Sequence, residues 1–421
     1  MQTRGPGTPI ARTLPWLLAA IILFSFVSKV IRLNQPPELY FDEVYHGFTA
    51  TRYLHWDVDA YDPWAKSPPG MAFEWTHPPL AKLLMAGFMN VFGENAFGWR
   101  IGSVVAGTLS VWLVAQVALS LFGSPWIAAL AAFLLSIEGL SFVESRIAMN
   151  DAYFICFMLF TVWQYLGWRK DPSSLKRLFI TGLGVGCMAA TKWTTLYVLI
   201  ILGGDLLYRW FFRGELKKET RLHLVPVFLV LMPVVMYIGS YAQLFMLGKD
   251  WNFFVELQKQ MWWYHSGLKA THLYQSKPYQ WILNIRPIYM HVSKESNNEV
   301  SAGIYNLGNS VILLTGLFAV IRSIFTERKW TYPLGFTTAI YFMLWFPWNF
   351  SPRIMFFYHY APAIPFLCIL LARYLSTRER AQLVVVSLAV FWFFLFYPHN
   401  TALPVPRAFA NAVYFAIPGW Q

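Results

Sequence analysis

The sequence predicts an all-helical protein that crosses a membrane many times, and three observations carry that prediction. Apolar residues make up 57% of the 421 residues and charged ones only 13%, too little polar surface to cover a soluble globule of this size. The mean hydropathy is +0.43. Apolar stretches also recur along the chain, several near the roughly 20 residues that span a bilayer. The net charge of +12 does not mark a nucleic-acid binder, because the basic residues fall in short runs between apolar stretches and form no basic domain. Cys156, Cys187 and Cys368 sit inside apolar stretches without ligand-like spacing, which makes them core filler rather than disulfide partners or metal ligands.

The apolar stretches cover 15–33, 99–121, 124–142, 149–168, 177–190, 193–210, 222–242, 304–325, 331–348, 354–375 and 381–398. The first lacks a small-residue cleavage site and reads as a retained signal anchor. Residues 177–210 are too long for one span, and Ala190-Thr191-Lys192-Trp193 supplies a polar break between two. Charge decides the count. With Arg4 and Arg12 inside, eleven spans put Arg169, Lys170, Lys176 and Arg177 on that side, and likewise Arg209, Arg213, Lys217, Lys218 and Arg221. Arg322, Arg328, Lys329, Arg373, Arg378 and Arg380 follow, as the positive-inside rule requires. The C-terminus then lies outside. One transmembrane domain, 1–421, is left with two sizeable outer loops: 34–98, in which Leu80–Phe92 is too short to span and lies along the interface, and the aromatic-rich 243–303.

Polar chemistry concentrates in those outer segments. Asp42-Glu43 follows the first span within Tyr40-Phe41-Asp42-Glu43-Val44-Tyr45-His46, where a water-side acid or base meets a substrate held by lipid. Trp75-Thr76-His77-Pro78-Pro79 is a rigid, His-bearing turn suited to a cavity wall. Glu144-Ser145-Arg146, Asn150-Asp151, Lys192 and Arg100 stand at outer span ends, where ionisable groups face a polar cavity or pair with one another. Arg286, near Trp281, and Arg353, before Tyr358 and His359, combine planar cations with aromatic rings, a pairing that fits a lipid-linked phosphate.

These residues resemble the protein O-mannosyltransferases, polytopic lipid-phosphate-sugar transferases of the C-type glycosyltransferase fold. The resemblance rests on Phe41-Asp42-Glu43-Val44, His77-Pro78-Pro79-Leu80-Ala81-Lys82, Glu144 through Asp151, Thr191-Lys192-Trp193, and Arg353 through Tyr360-Ala361-Pro362. It implies that mannose passes with inversion from a polyprenyl or dolichyl phosphate to a Ser or Thr hydroxyl of a protein acceptor. Asp42, with Glu43 in reserve, would accept the hydroxyl proton. Arg286, Arg353 and His359, joined by Lys192 or Arg146, would bind the phosphate, and His46, His77, Arg100, Trp281 and Tyr358 would line the groove. Cationic side chains can neutralise a phosphate leaving group, so no metal or cofactor is expected. The eukaryotic members carry a soluble domain for which 243–303 has no room, which implies a bacterial-type member working at the outer face of the plasma membrane. Two rivals stand beside this reading. A C-type transferase such as an aminoarabinose transferase would pass a sugar to a lipid or glycan, and a transporter or flippase would place its polar residues near the bilayer midplane.

Overall fold

Each of the eleven apolar stretches folds largely as helix. The computed structural model describes residues 9–216, 223–327, 330–417 and 420. Arg4, Lys217, Lys218, Arg221, Arg328 and Lys329, used above to orient the chain, lie outside the described residues. In order, the helices are α1 (Pro9–Val30), α2 (His46–Leu54), α3 (Leu80–Phe92), α4 (Ala96–Phe122), α5 (Pro125–Ser136), α6 (Gly139–Glu144), α7 (Asn150–Lys170), α8 (Leu175–Ala189) and α9 (Thr195–Tyr208). Then come α10 (Leu224–Pro226), α11 (Met232–Gly239), α12 (Ala242–Met246), α13 (Trp251–Gly267), α14 (Pro278–Ile282), α15 (Ser310–Thr326), α16 (Tyr332–Trp345), α17 (Ile364–Leu375), α18 (Glu379–Asn400) and α19 (Arg407–Val413).

Local chemistry sets the boundaries. The Asn95 side chain accepts from the amides of Phe97 and Gly98, both at 3.0 Å, and starts α4, satisfying two of the donors a helix N-terminus leaves free. The expected break between α8 and α9 is present. There the Thr191 hydroxyl turns back to the Cys187 carbonyl at 2.8 Å and that of Thr195 to the Lys192 carbonyl at 2.7 Å, the local bonding by which such side chains compete with helix continuation.

Helices α4, α5, α7, α8 and α17 pack as the centre, with α17 buried along almost its whole length. Three described helical segments are both long and apolar enough to cross a membrane: Ala96–Phe122, Thr195–Arg213 and Glu379–Asn400. Burial of 67% along the first against 22% and 17% along the others separates a central helix from rim helices, which turn Leu196, Leu383 and Phe391 outward. Some of the other stretches are divided. The third becomes α5 and α6, and the tenth opens as a 3-10 turn, Phe357–Ala363, before α17. Close packing uses small residues. A Cβ on Gly182 would lie 2.1 Å from the Phe228 carbonyl oxygen, and one on Gly186 2.4 Å from the Met236 sulfur, so α8 meets the rod formed by α10 and α11 almost backbone to backbone.

The all-helical expectation needs one correction. Strand β1 (Ile288–Val292) pairs antiparallel with β3 (Gly303–Asn306), and β2 (Val300–Ser301) with β4 (Val405–Pro406). Residues 304–306, expected inside the eighth span, are therefore strand. A short apolar run carries no period that separates strand from helix, and the helix starts only where Asn309 caps α15 by accepting from the Ile312 amide at 3.4 Å.

Candidate functional site

Connections that are far apart in the sequence share one cavity of about 670 Å³, drawn from residues 41–46, 72–77, 149–151, 192–197, 264–272 and 348–359. Each of these stretches lies in or beside a segment expected on the outer side. Asp42, His46, His77, Lys192, Arg353, Tyr358 and His359 all line it.

Asp42 sits in a 3-10 turn, Phe41–Val44. Phe41 before it has φ +50, a left-handed conformation that costs a bulky residue energy and that surrounding structure must enforce. Burial, with Asp151 and Glu74 nearby, pushes the Asp42 carboxyl up to about 7, against a hydrogen bond from Tyr358 and the charge of Lys192. Lys192 itself pairs with Asp151 at 2.8 Å.

A second carboxylate, missed in the sequence, organises the His77 turn. Glu74 accepts from Lys82 and Thr76, and from His77 Nδ1 at 2.9 Å, with His46 Nδ1 at 3.7 Å. Burial opposes its ionisation, yet Lys82 with His77 and His46 outweighs burial and holds the carboxyl well below the usual range. Because a carboxylate only accepts, His77 carries its proton on Nδ1. Lys82 also donates to the carbonyls of Glu74 at 2.7 Å and His77 at 2.9 Å, which makes it the anchor of the turn.

The cationic side of the cavity belongs to Arg353 and Lys192. One Nη1 hydrogen of Arg353 goes to His265 Nδ1 at 2.5 Å, and the guanidinium lies 5.7 Å from the Tyr264 ring centre. Its Nε is buried with no partner among the described residues, as are both amide atoms of Asn150. His359 is fixed between Tyr358, stacked at 4.7 Å, and Trp348, edge-on at 4.7 Å.

The structure takes five expected residues away from the cavity. Glu43 is fully buried and accepts from Arg100 Nε at 2.8 Å and Nη2 at 2.7 Å, and from the Ala148 amide at 3.0 Å. Arg100 spends its remaining donors on the carbonyls of Leu33, Pro36 and Glu38. Arg146 likewise binds the carbonyls of Lys29 and Ile31, closing the end of α1. Trp281 is buried behind His359, its ring centre 6.1 Å away. Arg286 is exposed and does not line the cavity. Proline and aromatic neighbours are common to cavity and surface positions, so they could not separate Arg286 from Arg353. His265 and Glu74 carried no sequence signal beyond their place in aromatic runs. Among the described residues no group of three His, Cys, Asp or Glu side chains is arranged to hold a metal ion.

The fold is that of the C-type glycosyltransferases. The chain superposes on a solved chain of the S. cerevisiae protein O-mannosyltransferase Pmt1-Pmt2 complex bound to the sugar donor, with TM-score 0.79, 16% identity, and 95% of this chain and 92% of that one covered. It also superposes on ArnT from Cupriavidus metallidurans bound to undecaprenyl phosphate, with TM-score 0.61, 16% identity, and 88% and 62% covered. The profile described as dolichyl-phosphate-mannose-protein mannosyltransferase matches residues 19–247, and that of the C-terminal four TMM region of protein-O-mannosyltransferase matches 250–405. The chain belongs to the dolichyl-phosphate-mannose-protein mannosyltransferase family. A polyprenol-phosphate-mannose–protein mannosyltransferase of Mycolicibacterium smegmatis (strain MKD8) is 25% identical over 503 residues, covering 98% of this chain and 94% of the relative. Dolichyl-phosphate-mannose–protein mannosyltransferase 1 of Saccharomyces cerevisiae is 26% identical over 227 residues, covering 49% and 26%.

Proposed function

We propose that this protein transfers mannose from a polyprenyl-phosphate mannose to Ser or Thr hydroxyls of proteins at the outer face of the plasma membrane. The observation that carries the reading is the pairing, in one cavity, of a carboxylate raised to about 7 with an arginine whose Nε is buried and has no partner among the described residues. Asp42 takes the proton of the acceptor hydroxyl as its oxygen bonds to the anomeric carbon from the face opposite the phosphate. The bond from that carbon to the phosphate oxygen breaks, and the electron pair leaves with the lipid phosphate. Arg353 and Lys192 meet the negative charge that gathers there, in a site where cations act strongly because little water competes. Asp151, paired with Lys192, and Glu74, which fixes His77, hold these groups in place. The reaction as drawn needs neither metal nor cofactor.

Eleven crossings, with the N-terminus inside and the cavity outside, are part of the proposal. Cavity residues come from the connections expected outside, and the exposed cations Lys176 and Arg213 come from connections expected inside. Protein as acceptor is favoured over a lipid or glycan because the bacterial mannosyltransferase relatives align over 94% of their length, whereas ArnT is covered over 62%. Transport has less support, since the cavity is built from segments at one end of the helices.

Purified protein incubated with polyprenyl-phosphate mannose and a Ser/Thr-rich peptide should add a hexose detectable by mass spectrometry, equally well with a chelator present. Hexose transfer only to lipid or glycan acceptors would overturn the acceptor. Loss of activity in chelator, restored by a divalent ion, would overturn the metal-free reaction.

A further inference from the structure

His265 is near the end of α13, in the second outer loop, far in sequence from every motif discussed above. Its two ring nitrogens face two parts of the cavity. Nε2 lies 2.7 Å from the Thr76 carbonyl oxygen and Nδ1 lies 2.5 Å from Arg353 Nη1. A carbonyl oxygen only accepts and a guanidinium only donates, so the proton is on Nε2 and Nδ1 is the acceptor. The ring is neutral in this arrangement, in keeping with burial and the adjacent Arg353, which push its pKa down to about 4.

The effect on Arg353 is directional. A guanidinium offers two edges for a bidentate grip, and a side chain that takes Nη1 leaves the edge formed by Nε and Nη2. Nε on that edge is buried and without a partner among the described residues. Through Thr76 the same imidazole ties the arginine to the turn carrying Glu74 and His77. We propose that His265 is a positioning residue of the donor site, holding Arg353 by Nη1 so that its Nε–Nη2 edge is presented to the lipid-linked phosphate. This rests on the assignment of Arg353 to the donor phosphate above.

The test is a donor titration at saturating acceptor on wild type, R353A, H265A, H265Q, H265F and the double variant R353A/H265A, each checked for unchanged thermal unfolding. Loss of a charge-assisted contact raises half-saturation about 10- to 100-fold in R353A. H265A should raise it several-fold and change turnover at saturating donor much less. Glutamine carries one acceptor and one donor and should restore most of the affinity, whereas phenylalanine keeps the ring without either and should not. The double variant should bind donor no worse than R353A, because His265 acts through Arg353. Equal restoration by Gln and Phe, or an H265A effect that persists in full in the R353A background, overturns the role. If R353A binds donor normally, the donor-site assignment itself falls. If R353A is weakened while H265A and H265F are not, only the positioning role falls. Should H265A fail to fold, the Gln and Phe variants decide between the same outcomes.

Discussion

Asp42 and Glu43 are adjacent in the sequence, but only Asp42 faces the cavity. Asp42→Asn should keep donor binding and lower turnover about 10²- to 10⁴-fold, the range for losing a general base, as measured by hexose transfer at saturating substrates. The pH profile gives an independent check. A base must be deprotonated to act, so with its carboxyl near 7 wild-type turnover should climb as the pH is raised from about 6 to about 8, and the residual rate of Asp42→Asn should not. A wild-type profile already flat at about pH 6 would count against Asp42. Glu43 should fail differently. Removing one member of a buried ion pair costs about 3–5 kcal/mol, and Glu43 and Arg100 are 0% and 1% exposed. Glu43→Ala and Arg100→Ala should each lower the unfolding temperature in detergent, and the two together should lower it by less than the sum. A stable but inactive Glu43→Ala would return Glu43 to the chemistry. The sequence could mark the acidic pair but not divide it, because the division comes from Arg100, 57 residues away. Glu74 and His265 were hidden for the same reason: each gains its role from a partner that only folding brings near.

The helices were legible where apolar length and polar punctuation coincide, as at Lys192 between α8 and α9. They were less legible where one stretch contains two local structures, as in β3 followed by α15. The packing of α8 on α11 was not legible at all, since a glycine shows in the sequence but its neighbour does not. Gly182→Ala should force the helices apart or bend them, at a cost of about 1–3 kcal/mol from overpacking. Gly203→Ala, in α9 with nothing within 4 Å of the added Cβ, should be neutral or slightly stabilising because alanine is the better helix former. Thermal unfolding of the two variants side by side tests this, and equal effects would mean that α8 tolerates the added methyl group.

For the whole molecule, the orientation fixes which substrates can reach the cavity. In a cysteine-free background, cysteines placed at the exposed positions Lys66 and Lys269 should react with a membrane-impermeant thiol reagent added to intact cells, and one at exposed Lys176 should not. The expectation follows from the bias of basic residues toward inside loops, and labelling at Lys176 would reverse it. The assembled site also contains its own reporter. The amide of Leu80, at the start of α3, donates to the Ala190 carbonyl at 3.0 Å, so the segment that opens α3 and the segment bearing Lys192 are joined through one hydrogen-bonded amide proton. Deuterium uptake at that amide therefore follows the opening of the two walls away from each other. A donor that touches both walls should slow the uptake even when no acceptor is present and no sugar moves, which makes site closure measurable separately from turnover.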